Sequence, residues 1–315
     1  MIDPILFWQI DMPALLVATL AALCCAIPGN FLLLRRQAML GDAFSHLALP
    51  GIVAAFLVVG HLAPVPMLLG ALGACLLGAA LIGLIGRVTG LEPGAVMGVV
   101  FTVMFAAGLV AMEMGGAGNV HIDADHVLFG NLESTLWPSV FEATDLLKRE
   151  SWADLPRPAQ TLLIGLPIIA ALTLLLFKEL KLLCFDEAQA AVMGRRPGLL
   201  SALLLGMTGM ACVASFEAVG AILVIAMLIC PAATARMLTD NLAVQVWLSA
   251  LIAIVTAIAG YAAAAWLPLW LGFEGTLSAA GMIATMCGVA QLLAMLLAPR
   301  YGVLATRRRT AKLAQ

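Results

Sequence analysis

The sequence predicts an all-α membrane protein that crosses the bilayer about eight or nine times. Of its 315 residues, 63% are hydrophobic and only 11% are charged, and the mean hydropathy is +1.08, a balance that soluble globular domains do not have. Apolar runs of roughly 17 to 25 residues, long enough to cross a bilayer as a helix, recur along almost the whole chain. These runs lack the strand-like alternation of apolar and polar residues, so helices are indicated.

The apolar runs define nine predicted crossings within a single domain, 1–315. The first run ends at Arg35 and Arg36 and lacks the basic n-region and small-residue cleavage site of a secretory signal, so we expect a retained helix. We find no internal repeat, and the seven cysteines form no C-x-x-C pair, which favours packing roles for them. The predicted crossings are 13–34, 44–62, 65–86, 94–112, 160–177, 198–216, 219–235, 246–266 and 277–298.

The distribution of basic residues predicts the orientation. If the loop with Arg35 and Arg36 is cytoplasmic, 13 of the 16 lysines and arginines share its side, and only Lys148, Arg149 and Arg157 lie outside. Such an asymmetry is typical of oriented membrane proteins. The tail at about 299–315 is therefore expected in the cytoplasm, and the polar interruption at about 113–159 is expected to be an outer loop.

The outer loop contains the cluster "HIDADH". Its carboxylates and imidazoles, which belong to His121, Asp123, Asp125 and His126, could capture a divalent cation at an entrance. A solvated acidic loop that contains two histidines by chance explains the same residues.

The second crossing begins with "GDAFSHLALPG", in which Asp42 and His46 share one helical face. An ionised side chain within a bilayer costs at least about 2.5–3.5 kcal/mol, so one that is present usually faces a partner or an aqueous path. A carboxylate and an imidazole suit Zn²⁺ or Mn²⁺, and a two-fold dimer would bring two of each to one axis. Alternatively, Asp42 is a boundary residue and His46 bonds a neighbouring carbonyl. Pro50 and Gly51 follow, where a helix could kink and open a cavity.

Two segments on the predicted cytoplasmic side could dock a soluble partner. In "ASFEAVGAILVIAMLICPAATARMLTD", Gly220 lies near the outer end, and we expect Pro231 to break the span so that a short cytoplasmic helix follows. The inner loop "FDEAQAAVMGRRP" is short and charged. The candidate docking residues are Arg236, Leu238, Thr239, Asp240, Phe185, Asp186 and Glu187.

The sequence lacks the motifs of an energy-coupling enzyme. It contains no G-x-x-x-x-G-K-[ST] loop for nucleotide phosphates, no H-E-x-x-H and no G-x-S-x-G. We therefore expect no catalytic residues, no permanently bound cofactor and no nucleic-acid partner.

Four stretches together resemble the permease subunit of ATP-binding-cassette importers for manganese and zinc. They are "LRRQAMLGDAFSHLALPGIVAAF" (34–56), "DADHVLFGNL" (123–132), "FDEAQAAVMG" (185–194) and "VGAILVIAMLICPAATARMLT" (219–239), in the order of that family. The stretch after Leu132 is longer and more charged than the family suggests.

The resemblance implies the permease fold of metal and vitamin importers and a homodimer or permease pair in a bacterial inner (cell) membrane. It also implies one cytoplasmic ATPase per permease chain and an external metal-binding protein. Asp42 and His46, at the family's G-D-x-x-S-H motif, would line the path of Zn²⁺ or Mn²⁺, with iron as a further substrate. The pattern also includes Gly41, Ser45, Pro50 and Gly51. Pro231, Ala232, Ala233 and Arg236 would lead to the ATPase contact.

Two other function classes remain open at this point. An ion-coupled secondary transporter could use Asp42 to carry a proton, although such proteins usually show inverted repeats. An intramembrane enzyme could use Asp42 and His46 as acid and base, although no further polar constellation accompanies them.

Overall fold

The computed structural model describes residues 7–61, 64–114, 130, 132–142, 144–145, 148, 151–272, 277–299 and 301–304. Within these residues every regular element is a helix. A π-helical turn, Phe7–Asp11, precedes the first helix, and short 3₁₀ turns lie at Leu132–Ser134 and Ser151–Asp154. The α-helices are α1 Met12–Leu34, α2 Leu40–Val59, α3 Pro64–Thr89, α4 Pro93–Met114, α5 Arg157–Leu175, α6 Phe177–Phe185, α7 Glu187–Val192, α8 Pro197–Leu238, α9 Leu242–Leu271 and α10 Ala279–Leu297.

Local sequence signals set several helix ends. The α2 helix ends at Gly60, whose φ of 76° is the left-handed conformation that glycine adopts without strain. The α9 helix begins after Asn241, whose side chain accepts a hydrogen bond from the Ala243 amide at 3.0 Å. The side chain of Ser278 caps α10 in the same way. These signals place the connections of α2, α9 and α10 outside the apolar segments.

The central helix is α1, which packs against α5, α8 and α9. Gly29 lies against the backbone of Leu228 in α8 and leaves no room for a Cβ atom. Small residues of this kind let transmembrane helices approach closely. We name the two ends of the bundle after α1: the Asp11 end, where α1 begins, and the Arg35 end, where it stops.

The longest helix, α8, is broken at Gly220, whose φ of 73° and ψ of 168° are not helical. The backbone of Gly130 packs against this break, so closely that a Cβ on Gly130 would lie 2.5 Å from the Gly220 nitrogen. Just beyond Gly130, the Trp137 amide donates to the Gln9 carbonyl, which precedes α1. The break therefore faces the Asp11 end.

Both ends of α8 lie at the Arg35 end. Before its start, Arg195 forms an ion pair with Glu179 at 3.1 Å, and the neighbouring Glu187 forms one with Arg35 at 3.6 Å. Just after its end, the Gln245 side chain donates to Asn30, near the end of α1, at 3.0 Å. A straight helix of its 42 residues would be about 63 Å long, so the chain must turn back at Gly220.

The reversal reconciles the structure with the predicted crossings. Eight helices of the described chain are long and apolar enough to cross a membrane, and α8 is one of them. If α8 is counted as two antiparallel segments, the total becomes nine crossings, which follow the predicted order. The predicted break at Pro231 is wrong, because the helix continues through this buried proline to Leu238. The chain turns at Gly220, next to the predicted boundary between crossings 198–216 and 219–235, and the backbone conformation there requires glycine.

The helix with the predicted metal ligands, α2, is held by two close helix contacts. A Cβ on Gly51 would lie 2.6 Å from the Gly70 carbonyl carbon of α3, and Gly108 of α4 packs against Pro50. About two turns of α3 further on, Gly78 leaves room for Leu47. Pro50 and Gly51 thus lie in packed contacts, and α2 is continuous across them.

Candidate functional site

Asp42 and His46 lie on the first two turns of α2, near the Arg35 end. The Asp42 Oδ1 and His46 Nε2 atoms are 3.6 Å apart, which is too long for a hydrogen bond. The side chains are 40% and 38% exposed, so both are accessible from one side of the chain. The pair is therefore close and open, with room for a third group between its polar atoms.

The 3.6 Å separation fits a shared cation. Two ligand atoms, each about 2.1 Å from a tetrahedral Zn²⁺, are about 3.4 Å from one another. An octahedral ion with slightly longer bonds gives a similar separation, so the geometry accepts several divalent metals. The separation of the Asp42 and His46 polar atoms is therefore compatible with one shared ion.

Two aromatic rings of α4 hold the imidazole. The His46 ring stacks on Phe101 with ring centroids 5.5 Å apart, and Phe105 meets it edge-on at 5.6 Å. Phe101 and Phe105 are spaced i, i+4 and so share one helical face. This contact fixes the direction of the ring and leaves Nε2 on the Asp42 side.

One chain supplies an incomplete shell. No group of three or more metal-ligating side chains occurs within the part of the chain that the structure describes. Two ligands cannot hold a metal in preference to water, whereas protein sites for zinc use three or four. A metal at this pair would need further ligands from a second chain, from water or from residues outside the described ranges. The outer cluster of His121, Asp123, Asp125 and His126 lies outside them.

The first predicted docking segment lies at the C-terminal end of α8, which is at the Arg35 end of the bundle. Arg236 donates to the Asp240 carbonyl at 3.3 Å, and the Asp240 carboxylate accepts from the Tyr301 hydroxyl at 2.9 Å. Leu238 is exposed, and Thr239 terminates the helix in an extended conformation. The segment therefore presents both apolar and charged groups at this end.

The second predicted docking segment lies at the same end. Phe185 is exposed, and the Asp186 carboxylate caps α7 by accepting from the Gln189 amide at 2.8 Å. Glu187 forms its ion pair with Arg35, whose side chain is only 11% exposed. The segment is thus connected to the turn that precedes α2.

Sequence reasoning did not find the groups around the pair or the polar contacts between α1 and α9. Phe101 and Phe105 look like ordinary lipid-facing residues, and only their i, i+4 spacing indicated a shared face. The buried amide of Asn30 donates to Ser249 at 2.6 Å and accepts from Gln245, which joins α1 to α9. A lone amide within an apolar run was the available signal for this contact.

Residues 8–137 and 159–298 match the family model described as the ABC 3 transport family. The manganese transport system membrane protein MntD of Bacillus subtilis is 38% identical over 94% of this chain and 96% of that protein. The zinc transport system membrane protein TroD of Treponema pallidum is 35% identical over 93% of this chain and 75% of that protein. A probable iron transport system membrane protein of Haemophilus influenzae is 28% identical over 95% of this chain and 94% of that protein.

Solved structures share the fold. PsaBC from Streptococcus pneumoniae, in complex with Fab, superposes with a TM-score of 0.69 at 25% identity and covers 96% of this chain and 95% of that one. An inward-facing putative metal-chelate type ABC transporter gives a TM-score of 0.65 at 16% identity, over 94% of this chain and 89% of that one. The predicted fold class, an all-α importer permease, is confirmed.

Proposed function

The chain belongs to the ABC 3 transport family, and on that premise we propose that it is the permease subunit of an importer that carries Mn²⁺ or Zn²⁺ into the cell. Permeases of this family are not themselves ATPases, so ATP hydrolysis belongs to a separate chain. Relatives named for manganese, zinc and iron support a divalent metal as cargo, with iron as the third candidate. The family assignment gives no support to an ion-coupled secondary transporter or an intramembrane enzyme.

The main support for the proposal is the geometry of the Asp42 and His46 pair. Its polar atoms lie 3.6 Å apart on a half-exposed helix face, near the separation that a shared metal ion requires. A second permease chain, identical or paired, adds the matching ligands across the path. The metal is held only in transit, because a conducting site must bind strongly enough to admit the ion and weakly enough to release it.

The two ends of the bundle receive different partners. The Arg35 end faces the cytoplasm, as the excess of basic residues on its side favours, and the C-terminal tail lies there. A cytoplasmic ATPase docks on the segments around Arg236 and Glu187. An external metal-binding protein delivers the ion at the Asp11 end. The bilayer is a bacterial inner (cell) membrane, and no resident cofactor is required.

Isosteric variants in the assembled transporter test the ligand roles. Asp42→Asn and His46→Gln keep the side-chain size but remove an anionic ligand and an imidazole, so we expect metal uptake to fall at least tenfold. ATP hydrolysis and assembly should change little. Uptake is measured in proteoliposomes that contain the permease pair, its ATPase and the binding protein.

The matched control is His61→Gln. This histidine is exposed just beyond the end of α2, and its Nδ1 atom lies 3.1 Å from the Val59 carbonyl oxygen. Uptake should be unchanged in the control. Normal uptake in Asp42→Asn or in His46→Gln would refute the ligand assignment, and ATP-independent uptake by the permease alone would refute the importer class.

A further inference from the structure

A cleft opens on the outside of the bundle between α3, α5 and the first half of α8. Its volume is about 540 Å³, within the range of about 300–1,000 Å³ of ligand pockets. The α5 wall extends from Arg157 to Ile168, which corresponds to about 16 Å along the helix. This is about half of a hydrocarbon core of about 30 Å, and the cleft begins at the first residue of α5, which follows the segment at the Asp11 end.

The walls of the cleft are apolar. Leu68 and Leu72 of α3 face Ile164 and Ile168 of α5 across it. Ile164 is 66% exposed, and the neighbouring Leu69 is 61% exposed. These walls match a hydrocarbon chain and offer no partner for a polar ligand.

The rim of the cleft carries one positive and one negative side chain. Arg157 and Glu217 both line it and are both exposed, with Gln160 and Thr161 between them on α5. In the described part of the chain, no ion pair joins Arg157 to Glu217. Glu217 is an acidic residue within a membrane-spanning segment, where a carboxylate is costly unless a cation or water meets it.

A glycine keeps the floor of the cleft open. Gly165 lines the cleft and is buried, yet a Cβ added to it would have no heavy atom within 4 Å. A larger residue would therefore project into the empty volume and not into a neighbouring helix. The cleft is thus a space that a single substitution can fill.

We propose that this cleft binds one zwitterionic aminophospholipid, of the phosphatidylethanolamine type. The acyl chain lies between the apolar walls, the phosphate meets Arg157, and the ammonium group donates to Glu217. Both charged rim residues then have a partner in one molecule. An anionic phosphatidylglycerol lacks the cation for Glu217, and a choline headgroup lacks N–H donors.

The test counts the lipids retained by the assembled permease and ATPase. The complex is reconstituted into vesicles of equal parts phosphatidylethanolamine, phosphatidylcholine and phosphatidylglycerol, extracted with detergent and examined by native mass spectrometry. We expect one phosphatidylethanolamine to be retained per permease chain. Glu217→Gln should reduce the preference over phosphatidylglycerol by about tenfold, the effect of losing one charge-assisted hydrogen bond.

A second experiment fills the cleft with a larger side chain. Gly165→Leu should reduce the retained phosphatidylethanolamine to the background level. Gly73→Leu is the matched control, because Gly73 is also free of neighbours within 4 Å but lies outside the cleft. Glu113→Gln, at the exposed end of α4, is the control for Glu217→Gln.

Three outcomes would overturn the proposal. Equal lipid retention in wild type and Gly165→Leu would show that the retained lipid does not occupy the cleft. Retention of phosphatidylglycerol equal to that of phosphatidylethanolamine would exclude a preference for an aminophospholipid. A change in permease oligomeric state in Gly165→Leu, without a change in lipid, would make the cleft a protein interface. If Gly165→Leu fails to fold, an unaltered lipid preference in Glu217→Gln overturns the proposal by itself.

Discussion

Replacing Gly51 with alanine should displace the helix that carries the metal ligands. A Cβ at this position would lie 2.6 Å from the Gly70 carbonyl carbon, and non-bonded carbons rest at about 3.5 Å or more. The α2 and α3 backbones must therefore separate by about 0.9 Å. His46 lies five residues away, about 7.5 Å along the helix, so it moves by a similar amount.

The displacement is large compared with what a ligand shell tolerates. Metal–ligand distances in proteins lie within about 0.2 Å of their preferred values. Overpacking costs about 1–3 kcal/mol, and the better helix propensity of alanine returns up to about 1 kcal/mol. We expect Gly51→Ala to reduce metal uptake at least tenfold and to lower the free energy of unfolding by about 1–2 kcal/mol.

Thermal unfolding of the purified protein and metal uptake in proteoliposomes measure the two effects. Gly73→Ala is the control, since Gly73 lies on α3 and has nothing within 4 Å of an added Cβ. It should leave uptake unchanged and stabilise the helix slightly. If Gly51→Ala behaves like Gly73→Ala in both assays, the close α2–α3 contact does not position the site.

Three further substitutions test the fold around the site by thermal unfolding. Gly220→Ala should lower the free energy of unfolding by about 1–3 kcal/mol, because its φ of 73° and ψ of 168° suit only glycine, whereas Gly206→Ala should have little effect. Asn30→Ala should cost about 1–3 kcal/mol because it leaves the buried Gln245 amide unpaired, and a second change of Gln245 to leucine should recover part of the loss. Glu187→Gln breaks the ion pair to the end of α1, but this carboxylate is 55% exposed, so the change should stay below about 1 kcal/mol. A loss above 2 kcal/mol in Glu187→Gln, or none in the other two, would contradict these assignments.

Hydropathy predicted the crossings well because each crossing is a local property of the chain. The predicted second crossing, 44–62, starts four residues after α2 begins at Leu40, although Asp42 and His46 were correctly placed on one helical face. Asp42 and Ser45 lowered the local hydropathy, although their backbone is helical. The ligand pair therefore lies wholly within a helix.

The turn in α8 shows where local signals conflict. The sequence has a proline at 231 and a glycine at 220, and both can interrupt a helix. A proline can remain in a transmembrane helix when the surrounding packing compensates for the missing hydrogen bond. The predicted boundary between crossings 198–216 and 219–235 placed the reversal near Gly220, and the structure adds that Gly130 packs against it.

The site was predictable as a pair but not as a geometry. The i, i+4 spacing placed Asp42 and His46 on one face, and the structure adds the 3.6 Å separation and the support of Phe101. The stacking depends on the register between α2 and α4, which the sequence of either helix does not specify.

Direct observation of the ion in transit tests the central claim most sharply. The permease pair is assembled with its ATPase and binding protein, loaded with Mn²⁺ or Zn²⁺, and examined by metal analysis and X-ray absorption. We expect one ion per permease pair, bound by imidazole nitrogen and carboxylate oxygen, and we expect its loss in both Asp42→Asn and His46→Gln. An ion that persists in these variants, or a shell made of thiolates, would contradict it.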